Sequence, residues 1–165
     1  MTQPRKPAGT PEGGQWAPAG HAEPDFALSP EGVRPELITE LAAHPHDADP
    51  NLIWGASPKE VDWILDHGSS THIVTLATRN DLTREQYLRL LEPERPLSAR
   101  LDVIGKPQLA VPGLAEKASH DPHPIVRAYA LSLGWDLPPE REQALRSDPE
   151  VIRVAEKMGL DIRPT

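Results

Sequence analysis

Histidines and carboxylates crowd two short stretches of this chain, His44-Pro45-His46-Asp47-Ala48-Asp49 and His120-Asp121-Pro122-His123. Imidazole nitrogen and carboxylate oxygen are donors that a divalent ion takes, which makes the first stretch the strongest candidate for a metal centre. Adjacent ligands in a proline-containing turn converge on one ion only when a scaffold adds a third and a fourth. The competing reading is a loop between helices in which Asp49 caps the helix that follows, with Asp121 doing the same in the second stretch. The loop reading is favoured, and no metal or cofactor is expected. His67 and His72 flank Gly68-Ser69-Ser70-Thr71, a Ser/His proximity that nucleophilic chemistry would need. No glycine-framed nucleophile elbow accompanies it, so the segment reads as a helix stop, with Gly68 left-handed, followed by a cap. There is no P-loop, dinucleotide fingerprint or HExxH. The chain is expected not to be an enzyme.

Three arginines form a different kind of series. Arg100, Arg127 and Arg153 occupy nearly the same slot of successive helices. Stacked on one another, they would form either a basic stripe able to pair with a partner's carboxylates or phosphates, or an internal ladder pairing with the cap aspartates. The ladder is favoured, and the three stay as candidate partner-binding residues.

The elements that must position these groups recur about every 26 residues between Arg34 and Met158. Openings at Arg34-Pro35, Ser57-Pro58, Leu82-Thr83, Val111-Pro112-Gly113 and Leu137-Pro138 alternate with a second series at Asp49-Pro50, Ser70-Thr71, Pro96-Leu97-Ser98, Asp121-Pro122 and Asp148-Pro149. Ser57-Pro58-Lys59-Glu60 and Thr83-Arg84-Glu85-Gln86 are capping boxes, each followed by apolar residues at helical spacing. Most prolines of the domain fall at helix starts or turns, where a missing N–H costs little. His72-Ile73-Val74-Thr75-Leu76-Ala77 has β-branched character but fills a helix slot. The expected fold is all-α: a right-handed solenoid of about five short helical repeats over 29–165, each an α/α or α/3-10 pair.

Asp121-Pro122-His123-Pro124-Ile125-Val126-Arg127-Ala128-Tyr129-Ala130, then Asp136-Leu137-Pro138-Pro139-Glu140 and Asp148-Pro149, resembles the leucine-rich-repeat-variant family of short HEAT-like helical repeats. The resemblance is good over 119–158 and partial over 28–118. It departs at Ser70-Thr71 and Pro96-Leu97-Ser98, which lack the Asp-Pro. It implies stacked helix pairs, but no iron–sulfur module, because the chain has no cysteine. Separately, Pro7-Ala8-Gly9-Thr10-Pro11-Glu12-Gly13-Gly14-Gln15-Trp16-Ala17 resembles an N-terminal signature of high-GC Gram-positive and phage proteins, in which the Trp position is usually Phe. A shared docking role is what this implies for Gly13, Gly14, Gln15 and Trp16.

Residues 1–28 are Pro/Gly-rich and have few side chains able to anchor a core, so they are expected to form a disordered or extended arm, in which the exceptions Trp16 and Phe26 read equally as an anchor for a partner or clip onto the domain and as incidental residues of the tail. The net charge of −8 argues against nucleic-acid or anionic-membrane binding, which need positive charge to displace counterions. No leader-like apolar stretch or bilayer-length run is visible, and a cytoplasmic protein is expected. The expected function is protein–protein interaction through the stacked helices and the arm. Two alternatives stand beside it. One is an acidic nucleic-acid mimic using Asp62, Asp66, Glu92 and Glu94; the other is a nucleic-acid-binding repeat protein using the arginines. A monomer, or a weak homo-oligomer through the apolar C-terminal repeat Leu160-Asp161-Ile162-Arg163-Pro164-Thr165, is expected.

Overall fold

The computed structural model describes residues 30–106, 113–134 and 136–162. Among them the chain forms helices and no strand: α1 (Pro35–Ala43), α2 (Pro50–Trp54), α3 (Pro58–His67), α4 (Ser70–Ala77), α5 (Arg84–Leu90), α6 (Leu97–Ile104), α7 (Leu114–Ser119), α8 (Pro124–Ser132), α9 (Pro139–Arg146) and α10 (Pro149–Met158). The β-branched run from His72 to Ala77 lies in α4, where Ile73 and Leu76 are buried. Tertiary burial outweighs the weak β preference of such residues.

Packing follows the alternation of the helices. α2 lies against α4, α4 against α6, α6 against α8 and α8 against α10, while α3 lies against α5 and α5 against α7. Small residues make this close stacking possible. Ala99 on α6, Ala118 on α7 and Ala128 and Ala130 on α8 are almost completely buried, among larger side chains such as Leu37, Ile64, Leu76, Tyr87 and Ile104. A core running from Val33 to Ala130 is followed by a smaller cluster of Ala128, Leu131, Leu137, Leu145, Val151 and Ala155.

Local chemistry explains most of the helix starts. Ser57 and Thr83 close complete capping boxes with Glu60 and Gln86, and Ser69 closes a third with His72. Asp49 and Asp148 accept from backbone amides two residues on, and proline follows each of them. Two sequence expectations are corrected. Asp121 is not the cap of α8. His123 precedes Pro124 and is held extended, as residues before proline are, so the helix begins two residues later than Asp121-Pro122 implies. The His123 ring accepts from the Ile125 amide instead. Gly68 is also not left-handed: its φ of −69° is ordinary extended backbone. Its requirement is space, because a Cβ there would stand 2.6 Å from the Ile64 carbonyl oxygen. Gly134 and Gly159 do have positive φ, 61° and 67°, just past the ends of α8 and α10. No helix among the described residues is long and apolar enough to cross a membrane.

Candidate functional site

Arg100 and Arg127 are both engaged inside the protein. Each sits at the fourth residue of its helix, α6 or α8, and reaches forward to an aspartate near the start of the next even-numbered helix. Arg100 Nη1 donates to both Asp121 carboxylate oxygens at 2.5 Å, and only 7 % of the arginine side chain and 1 % of the aspartate's is exposed. Arg127 Nη2 donates to Asp148 Oδ2 at 2.9 Å and lies 3.5 Å from Glu150, while its Nη1 donates to the carbonyls of Asp121 and Pro122. In both arginines Nε is buried without a hydrogen-bond partner among the described residues, so the equivalence of the two slots extends to this atom. Burial disfavours the Asp148 carboxylate, but the amides of Glu150 and Val151 and the Arg127 guanidinium outweigh it and hold the carboxyl below its usual range. Arg153 does not join them. It follows Arg127 by 26 residues where Arg127 follows Arg100 by 27, and one residue turns a helix by about 100°. It is exposed and makes no ion pair among the described residues.

Sequence reasoning missed the other bonds that join one helix pair to the next. Arg34 Nε donates to Glu60 Oε1 at 2.6 Å, and the Arg34 amide donates to the same oxygen. Burial pushes the Glu60 pKa up, but Arg34 and the amides of Ser57 and Arg34 prevail and bring it down to about 2. Gln86, at the equivalent position of the next capping box, reaches back to the Pro58 carbonyl and Asp62. Arg79 donates to the carbonyls of Ile53 and Ala56, and Arg95 to that of Leu65. Lys106 donates to the Arg79 carbonyl and sits 5.9 Å from the Tyr87 ring centre, where burial lowers its pKa. Partners 26 residues apart, as Arg34 and Glu60 are, were the available signal.

The histidines are similarly occupied. Buried His72 accepts from the Ser69 amide at Nδ1, which leaves Nε2 to donate to the His44 carbonyl. His67 stacks on Trp63 with ring centres 4.9 Å apart. Ser69 Oγ donates to the Pro45 carbonyl rather than to an imidazole. In the first His/Asp stretch His44 contacts Asp47 at 3.4 Å while Asp49 caps α2. Among the described residues no three His, Cys, Asp or Glu side chains come together in a way that could hold a metal ion. The acidic candidates are partly neutralised too, since Arg89 pairs with both Asp62 and Asp66, and Arg95 with Glu92.

What remains is a surface distinguished by its lack of charge. The sequences of α2, α4, α6 and α8 contain Arg100, Asp102 and Arg127 as their only charged residues. With the arginines engaged inside, Asp102 is the single exposed charge of these helices. Besides Asp102, their exposed residues are Pro50, Asn51 and Trp54 on α2, Ser70 and Thr71 on α4 and Ser98 on α6, while Thr75, Leu101, Ile125, Tyr129 and Ser132 are half-buried, Leu101, Ile125 and Tyr129 packing on the core. Trp54 is 53 % exposed, and its indole N–H donates to Thr78 Oγ1 at 3.2 Å, tying the ends of α2 and α4. The odd-numbered helices and α10 differ, with Glu36 and Glu40 on α1, Lys59, Asp62 and Asp66 on α3, Glu140, Arg141 and Glu142 on α9, and Glu150, Arg153, Glu156 and Lys157 on α10. At the C-terminal end, Ile152, Ala155, Gly159, Leu160 and Ile162 line a shallow groove of about 440 Å³. Gly13, Gly14, Gln15 and Trp16 lie outside the described residues.

No protein-family model matches this chain, and no curated protein or solved structure matches it significantly.

Proposed function

We propose that this protein is a non-catalytic interaction module: a short helical solenoid of about five leucine-rich-repeat-variant-like pairs that docks a protein partner on α2, α4, α6 and α8. The carrying observation is the uncharged α2–α8 surface on a chain of net charge −8. Charge depletion and aromatic enrichment mark the centre of a protein interface, and Trp54 is the exposed aromatic here. Even-on-even and odd-on-odd packing, with bonds joining each pair to the next, supports the solenoid reading, and such folds present extended surfaces to partners. Internal pairing of Arg100 and Arg127 weighs against a nucleic-acid-binding stripe. Pairing of Asp62, Asp66 and Glu92 weighs against phosphate mimicry.

The test is affinity capture from the native host with the full chain and two charge variants. Thr71→Glu/Ser98→Glu, at exposed positions of α4 and α6, is expected to release the specific partner, and Glu140→Lys on α9 to retain it. Equal retention by both variants, or capture only of nucleic acid that salt removes, would sink the proposal.

A further inference from the structure

We infer that His72 is a proton-sensitive latch: a proton taken up on its ring opens the capping box of α4 and frees the His44 carbonyl, loosening the turn between α1 and α2 from α4. The latch works whether or not the α2–α8 face docks a partner.

The partners of the ring fix its protonation. The Ser69 amide donates, so Nδ1, 3.2 Å away, accepts; the His44 carbonyl accepts, so Nε2, 3.0 Å away, donates. Both bonds coexist in the neutral Nε2–H tautomer alone. A proton on Nδ1 sets two donors against each other, in a residue only 2 % exposed. A charge buried there also needs a counter-charge. On the turn, His44 stands beside Glu40 and Asp47, and His46 and Asp49 are exposed. On α3, Arg34 engages Glu60, Arg89 of α5 engages Asp62 and Asp66, His67 lies on Trp63, and Lys59 is exposed. On α5, Arg84 and Glu85 are exposed; on α6, Asp102 is exposed and Arg100 is engaged by Asp121. α2 has no charged residue. Among the described residues none of these carboxylates forms an ion pair with His72.

The other two capping boxes show what histidine adds. Glu60 and Gln86 hold the same third helical position and accept from the amide of their own cap. Each also bonds a group 26 or 28 residues earlier, as His72 does at 28. Gln86 has the same two roles as His72, acceptor to Thr83 and donor to the Pro58 carbonyl, on an amide that does not titrate. Glu60, with its pKa at about 2, keeps its charge near neutrality. Histidine is the side chain that changes charge between about pH 5 and 8. The opened latch binds a proton that the closed one excludes, so falling pH favours opening and rising pH favours closure. Ser69 Oγ still holds the Pro45 carbonyl, so the turn loosens rather than unfolds.

The experiment follows the full chain by heteronuclear NMR from about pH 8 to about pH 5. It reads the His72 ring nitrogens and the exchange protection factors of three amides: Ser69, Thr83 in the glutamine box and Arg34 at the glutamate box. Expected at the alkaline end is a neutral ring protonated at Nε2. Towards acid, protection at Ser69 falls about tenfold with the midpoint of the ring titration, while Thr83 and Arg34 hold. His72→Gln, which copies the Gln86 arrangement, is expected to keep Ser69 protected throughout, and His44→Gln, at an exposed ring, to lose protection as the parent does. Overturning results are a ring that stays neutral to the acid end, Ser69 protection that survives ring protonation, a neutral ring protonated at Nδ1, or a loss that follows His44 instead of His72. If His72→Gln fails to fold, the first three results decide in the parent.

Discussion

Asp121 accepts from Arg100 and from the His123 amide with the same carboxylate, so one side chain ties α6 to the turn that opens α8. The pair is buried, and one unit later Asp148 repeats the arrangement with Arg127 while also capping α10. A buried ion pair is costly to assemble, because both ions lose water, and costly to break, because the survivor is left without a counter-charge. Its two halves are therefore expected to behave as a unit.

Asp121→Ala leaves the Arg100 guanidinium buried without its partner and is expected to destabilise the fold by about 3–5 kcal/mol. Replacing both residues, as Arg100→Met/Asp121→Ala, removes the stranded charge and is expected to cost less than the two single changes added together. Urea unfolding of the four proteins gives the coupling energy. Additive costs would mean that the two groups do not act as a pair.

The arginine series separates by substitution. Arg127→Glu sets a carboxylate against Asp148 and Glu150 and is expected to lower stability by at least about 3 kcal/mol. Arg153→Glu, at an exposed position out of register by one residue, is expected to stay within about 0.5 kcal/mol of the parent. Thermal melts compare the two directly, and similar losses would contradict the difference in register.

Acid should weaken the joint between α1 and α3. Glu60 has its pKa lowered to about 2 from an ordinary 4.5, so its contribution is complete above pH 4.5 and is lost as pH falls through the folded value. Asp148 and Asp81 are lowered as well and act in the same direction. Thermal midpoints taken at neutral pH and between pH 4.5 and 2 are expected to fall less in Glu60→Gln than in the parent. An equal fall in the two proteins would show that another carboxylate governs the acid limb.

Much of the helical layout was legible because helix starts have a local grammar. Ser57, Thr83, Asp49 and Asp148 cap the helices their spacing marks, and the prolines after three of them fall where no N–H is needed. Asp121 misled because two local rules compete there: Asp-Pro favours a start, while His123-Pro124 delays it. The partners were harder to read. Arg79, Arg95 and Lys106 bind backbone carbonyls of the preceding helix pair, and a carbonyl has no sequence identity to be recognised by. The uncharged face became visible only after Arg100 and Arg127 were seen to turn inward, since the helix sequences alone leave two cations available to it.

Gly68 and Gly134 provide a test of two different reasons for glycine. At Gly134 a Cβ meets nothing within 4 Å but the backbone is left-handed, with φ 61°. Gly134→Ala is thus expected to cost about 1–2 kcal/mol through conformation alone. At Gly68 the backbone suits any residue, yet the Cβ would press on the Ile64 carbonyl at 2.6 Å and on the Ile64 side chain at 3.0 Å. Backbone cannot yield as a flexible side chain does, so Gly68→Ala is expected to displace the junction between α3 and α4. Hydrogen exchange should then speed at the amides of Gly68 and His72, which the Ile64 carbonyl and Ser69 hydroxyl now protect. Gly134→Ala should lower stability without that local signature. Faster exchange at Gly68 and His72 in neither variant would mean that the junction has room for a methyl group and that the close approach at Ile64 is not what requires glycine.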